Sequence, residues 1–132
     1  MQAAEKFKAM LEEKGCLRVV LADLTRDDIA ECVEDGFRHS HLVLMASSYD
    51  AGVFAPMSDY LHHLQSKGFC NRTVALVENA SWAPSAVRTM KAELEKMKDI
   101  TLIDKTVTVK TKVNDAALAE LNDLADEIMK TF

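Results

Sequence analysis

The stretch Leu42-Val-Leu-Met-Ala-Ser-Ser-Tyr-Asp-Ala-Gly-Val-Phe-Ala-Pro-Met57 decides how the rest of the chain is read. Its first half belongs to the run His41 to Ser47 (HLVLMAS), which is apolar at nearly every position rather than at alternate ones. A strand of that kind buries both faces, the habit of a parallel sheet covered by helices on either side. The polar, small residues of Ser48 to Ala55 then read as a loop. Phe54, Met57, Leu61 and Leu64 follow at helical spacing up to Gly68. The unit is strand, loop, helix.

The same alternation extends in both directions. Upstream, Ala3, Phe7, Met10 and Leu11 mark a helix that Gly15 stops, and Leu17 to Leu21 (LRVVL) predicts a short buried strand. Thr25 to Asp28 has the form of a capping box for a helix carrying Ile29, Val33 and Phe37. Downstream, Thr73 to Val77 (TVALV) predicts a buried strand and Glu78 to Ala83 a loop. Pro84 then opens a helix carrying Val87, Met90, Leu94 and Met97. Ile100 to Lys110 reads as a strand near a sheet edge, and Asn114 as the cap of a last helix through Leu118, Leu121, Leu124 and Ile128. The order α-β-α-β-α-β-α-β-α, with four recognisable strands and no low-complexity linker, predicts an α/β fold of three layers, α/β/α, around a parallel sheet.

The chain has 132 residues, 48% hydrophobic and 28% charged, with a formal net charge of −5. Residues 1–132 therefore read as a single domain, long enough to bury a core without staples. The acidic balance argues against a nucleic-acid binder, which would need a basic face. No apolar run is long enough to span a membrane. Three cysteines (Cys16, Cys32, Cys70) form no CxxC pair, which disfavours a disulfide framework or structural zinc and points to a reducing, cytoplasmic setting.

Parallel sheets bind ligands beyond the carboxyl ends of their strands. Those ends feed the two loops, one βαβ unit apart, so the loops should lie side by side. The first offers Ser47, Ser48, Tyr49, Asp50, Ala51 and Gly52; the second offers Asn79, Ala80, Ser81 and Trp82. Two aromatics among hydroxyls, an amide and free backbone N–H groups suit a flat ligand with polar edges. Ordinary loop packing of Tyr49 and Trp82 is the other reading of the same residues.

The quoted stretch resembles the third strand and following loop of flavodoxins. It is most similar to the flavodoxin-like C-terminal domain of flavodiiron proteins (A-type flavoproteins), where a Ser-Pro-Thr-Tyr-Asn-like turn precedes Phe-Pro-Pro-Met or similar. Asp23-Leu-Thr25, Phe37-Arg-His-Ser-His-Leu-Val43 and Asn71-Arg-Thr-Val-Ala-Leu-Val-Glu-Asn-Ala-Ser-Trp-Ala-Pro84 look similar too, and the resemblance runs from Ala4 to Ile128. It implies an FMN cofactor and one-electron relay to a diiron domain or another redox partner, in an oxygen or nitric oxide reductase. It also implies that Ser47, Ser48, Tyr49, Asp50, Ala51, Gly52, Asn79, Ala80, Ser81 and Trp82 line the flavin, with Tyr49 and Trp82 near the ring system.

Three departures qualify that implication. Asp50 stands for the family's usual Asn, and Glu78-Asn79 for a Gly-Ser pair. The family's first strand and its T-x-T-G-N-T-like phosphate loop have no counterpart, because Met1-Gln-Ala-Ala-Glu-Lys-Phe7 already reads as the helix that follows them. Relative to the family, the domain is N-terminally truncated. That strand is the middle one in the order 2-1-3-4-5. Its loss predicts either a rearranged sheet, with 17–21 beside 41–47, or a sheet completed by a partner, and so a homo-oligomer. It also predicts weak or absent FMN binding by this chain alone. A flavin-free interaction or oligomerisation module is the alternative.

Other constellations point to bland roles. His39 and His41 fall at the wrong end of their strand for the crevice, and His62 and His63 lie within a helix, so no metal site is expected. Neither Cys16 nor Cys70 has a neighbouring base, and no catalytic residue is assigned. Asp50 lacks the acidic pair that a phosphoacceptor aspartate needs. Glu120, Asp123, Asp126 and Glu127 read as a solvated helix face.

Overall fold

The structure, a computed structural model, describes residues 2–16, 18–24, 26–49, 52–53, 55–79, 86–109 and 115–131. Its elements are α1 (Gln2–Glu13), α2 (Ile29–Arg38), β1 (His41–Tyr49), β2 (Gly52–Val53), α3 (Ala55–Ser66), β3 (Arg72–Asn79), α4 (Ala86–Glu95), β4 (Ile100–Leu102), β5 (Val107–Val109) and α5 (Asp115–Met129).

β3 is the axis of the sheet. It pairs in parallel with β1 along one side and with β4 and then β5 along the other. From Val74 to Val77 it is at most 3% exposed, as its unbroken apolar run requires. Val74 and Leu76 face one core with Leu44, Leu61, Leu64, Met90 and Leu94, under α2, α3 and α4. Ala75 and Val77 face the other with Phe7, Leu11, Leu121, Leu124 and Ile128, under α1 and α5. These are the three layers expected from the sequence, and each buried Leu contributes about 1.5–3 kcal/mol.

Two helix ends follow from single glycines. Gly15 and Gly68 adopt φ of 102° and 74°, where a Cβ would be strained. At each, the following N–H reaches back five residues, Cys16 to Leu11 (3.0 Å) and Phe69 to Leu64 (3.0 Å). Both are Schellman ends, and in the second Phe69 and Leu64 also share the core.

The lower edge of the sheet, at the amino ends of the strands, is locked by Arg72. Its guanidinium donates to the carbonyls of His39 (2.8 Å), Cys70 (2.9 Å), Phe37 (3.0 Å) and Asn71 (3.1 Å), and lies 5.6 Å from the Phe69 ring centre. A cation at the last carbonyls of α2 also complements that helix's dipole.

Several expectations are corrected. Residues 18–21 form no strand (Leu17 lies outside the described residues), and Val20 and Leu21 are 45% and 37% exposed. They do not pair with 41–47, so the rearranged sheet is not formed. Between Leu42 and Ala46 the side of β1 away from β3 carries no strand among the described residues. An apolar run becomes a strand only where a backbone partner is within reach, and here none is. α2 starts three residues after the capping box suggests. Asp28 is its cap, accepting from Ala30 N–H, while the Asp27 carboxylate turns back to Asp23 N–H (2.7 Å). Ile100 to Lys110 splits into β4 and β5, because Ile103 N–H bonds to Val74 O and the chain bends before β3 is met again. The expected caps at Thr25, Pro84 and Asn114 lie outside the described residues.

Candidate functional site

The carboxyl ends of β1 and β3 meet at the top of the sheet. The ladder runs in register from His41 opposite Thr73 to Ser47 opposite Asn79. That last rung brings together the two segments singled out from the sequence. Ser47 and Asn79 are therefore backbone neighbours at the carboxyl ends of adjacent parallel strands.

Each loop is held differently. β1 runs two residues further than expected and folds back on itself. Ser48 pairs with Val53 and Tyr49 with Gly52, antiparallel, so β2 lies back against the end of β1. The backbone of Ser47, Ser48, Tyr49 and Gly52 is thereby fixed at the strand end. α3 then starts at Ala55, with Pro56 in its first turn, where a missing N–H costs nothing. Asp50, Ala51, Ala80, Ser81 and Trp82 lie outside the described residues.

The second loop is bracketed by a residue that sequence reading counted only as a departure. Glu78 is 6% exposed, the one buried charged residue among those described. One carboxylate oxygen accepts from the N–H of Val87 in the first turn of α4 (3.3 Å), the other from the hydroxyl of Thr108 on β5 (2.9 Å). An anion at the first turn of a helix is favourably placed for its dipole. Glu78 thus ties the strand before residues 80–85 to the helix after them. Both oxygens of its carboxylate are thus bonded within the fold. The signal was a lone carboxylate closing the otherwise apolar run TVALV, a position that burial makes costly unless it is bonded.

The remaining titratable groups sit away from this rung. At the opposite end, His39 Nδ1 lies 2.8 Å from Asp35 O, and His41 lies between the hydroxyls of Ser40 (2.6 Å) and Thr131 (2.7 Å). Burial pushes the His41 pKa below its ordinary value. Burial, then the charges of Asp27, Asp35, Asp28 and Glu31, push the Cys32 thiol up, away from nucleophilic use. Burial also raises Tyr60, whose hydroxyl donates to Cys32 O (3.0 Å). No group of three or more His, Cys, Asp or Glu suited to a metal occurs among the described residues, and none of their helices is long and apolar enough to cross a membrane.

No family model and no curated protein matches the sequence. Solved structures do match the fold. The rubredoxin oxygen:oxidoreductase of the anaerobe Desulfovibrio gigas superposes with a TM-score of 0.90 at 14% identity, over 98% of this chain and 32% of that one. A variant of the flavo di-iron protein of Thermotoga maritima gives 0.78 at 23% identity, over 98% and 32%. A flavodoxin from the domain Archaea gives 0.79 at 17% identity, over 96% and 85%. The chain spans about a third of the first two of these proteins and most of the flavodoxin. The fold is flavodoxin-like.

Proposed function

We propose that this chain is a flavodoxin-like electron-transfer domain that places FMN across the Ser47–Asn79 rung. That rung carries the reading, because it joins the two loops at the carboxyl ends of adjacent parallel strands. When bound, FMN supplies one- and two-electron transfer. The chain's own residues would hold and orient it. Tyr49 and Trp82 stack on the rings, while Ser47, Ser48, Asp50, Ala51, Gly52, Asn79, Ala80 and Ser81 present hydroxyl, amide and backbone groups to the ring edges. Glu78 fits this reading, since it ties the end of β3, which leads into the second loop, to α4 and β5.

The electrons pass to a diiron domain or another redox partner, as the flavodiiron structures suggest, with oxygen or nitric oxide as the terminal acceptor. The setting is cytoplasmic, and the chain associates with itself or a partner. Weak flavin binding by the 132-residue chain is part of this proposal.

Titration with FMN, followed by quenching of flavin fluorescence, tests this reading. Saturable binding in the micromolar range or weaker is expected, about −8 kcal/mol or less. Tyr49→Ala and Trp82→Ala should each weaken it by about threefold to tenfold. No quenching at millimolar FMN would favour the second reading, a flavin-free interaction module, which the uncovered side of β1 supports.

A further inference from the structure

Ser40, His41 and Thr131 form a chain of hydrogen bonds at the amino end of β1, the opposite end of the sheet from the Ser47–Asn79 rung. Ser40 Oγ lies 2.6 Å from His41 Nδ1, and His41 Nε2 lies 2.7 Å from Thr131 Oγ1. The far end of the chain fixes the direction of every bond in it. Thr131 Oγ1 donates its proton to the carbonyl of Ile128 (2.6 Å), which can only accept. Towards His41 that hydroxyl therefore accepts, and Nε2 carries the ring proton. In the neutral ring Nδ1 is then bare, and it accepts from the Ser40 hydroxyl. His39 is the contrary case. Its Nδ1 lies 2.8 Å from the Asp35 carbonyl, so there Nδ1 holds the proton.

Both ends of the chain are anchored. His41 pairs in register with Thr73, whose N–H bonds to Ser40 O (3.1 Å). At the far end Thr131 N–H also reaches Ile128 O (3.0 Å), and Ile128 is buried in the core under α1 and α5. Burial holds the His41 pKa below its ordinary value, so the ring is neutral at pH 7. Ser40 itself is exposed, within reach of a reagent in solution.

We propose that Ser40 is a nucleophile for acyl transfer, with His41 as its general base and Thr131 as the residue that positions the ring. Acyl transfer to serine needs a hydroxyl bonded to an imidazole whose second nitrogen is held by a third group. The substrate class is an activated ester. Ser40 Oγ bonds to the acyl carbon and passes its proton to His41 Nδ1. The bond from that carbon to the leaving oxygen breaks, and the oxygen departs with the electron pair as an aryloxide. His41 then releases the proton to water. The product is an O-acyl serine. Because burial weakens His41 as a base, the donor must bring its own activation, a leaving group that departs as a stable anion.

The probe is p-nitrophenyl acetate, added to the 132-residue chain without flavin and read by mass spectrometry of its peptides. Ser40 should be acetylated about 100-fold faster than the exposed Ser66 at the end of α3. His41→Asn should bring Ser40 down towards the rate of Ser66. Thr131→Val should slow Ser40 about threefold to tenfold, and Thr131→Ser should restore it. Nitrogen NMR of the unaltered chain, which needs no variant, should show His41 protonated at Nε2 and His39 at Nδ1. Equal labelling of Ser40 and Ser66 overturns the proposal, as does labelling of Ser40 that survives His41→Asn unchanged. A neutral His41 protonated at Nδ1 overturns it as well.

Discussion

Two Val-rich runs, Arg18–Leu21 and Thr73–Val77, meet opposite fates in this molecule. The second is the core of β3, with β1 on one side, β4 and β5 on the other, and helices over both faces. The first forms no strand and lines the groove beside β1, with Val20 and Leu21 45% and 37% exposed. Their side chains are alike in kind, so intrinsic strand preference does not separate them. The ladder does. Backbone groups taken from water need partners, and only β3 has them on both sides.

The largest break in that contrast comes from truncating each run. Leu76→Ala should cost about 3 kcal/mol, whereas Leu21→Ala should stay within about 0.5 kcal/mol, both read from urea midpoints. Comparable losses would mean that 18–21 is packed in solution as tightly as β3. Next comes Arg72→Ala, which unties the start of β3 from the end of α2. Leaving those carbonyls without their cation should cost about 2–3 kcal/mol, and Arg72→Lys should recover only part of it, since one ammonium cannot span them. Glu78→Ala acts at the other end of the same strand. It frees Val87 N–H and the Thr108 hydroxyl, for about 1–2 kcal/mol, with faster exchange at the first turn of α4. Glu78→Gln should lose less, because the amide oxygen still accepts.

The smallest effect concerns pH. Burial lowers the His41 pKa below 6.5, so the unfolded chain takes up that proton first as pH falls. The His41 contribution to stability is complete above about 6.5 and is lost as pH falls below it, where the unfolded state binds more protons. His41→Asn should flatten that decline in unfolding measured from pH 7.5 to 5. An unchanged slope would assign the dependence to other groups.

Much of this was legible in the residues. Glycines at 15 and 68 announced two helix ends because only a left-handed backbone closes a Schellman motif cheaply. TVALV announced a strand buried on both faces, and the loop positions after both strands lay where parallel sheets bind ligands. What escaped was set at a distance. The pairing of Tyr49 with Gly52 needed the register of β1. Glu78 stood only as a departure from the family's Gly-Ser pair until Thr108, thirty positions away, and the first turn of α4 supplied its partners.

The sequence alone determined the layers, since periodicity states which faces must leave water, and it placed the two candidate loops at one end of the sheet. Only the tertiary structure decided that Arg18–Leu21 is not a strand and that β1 keeps an uncovered side. Hydrophobic patterning is a property of one segment. A ladder belongs to two, and whether the second stands within hydrogen-bonding reach is written in no single run of residues.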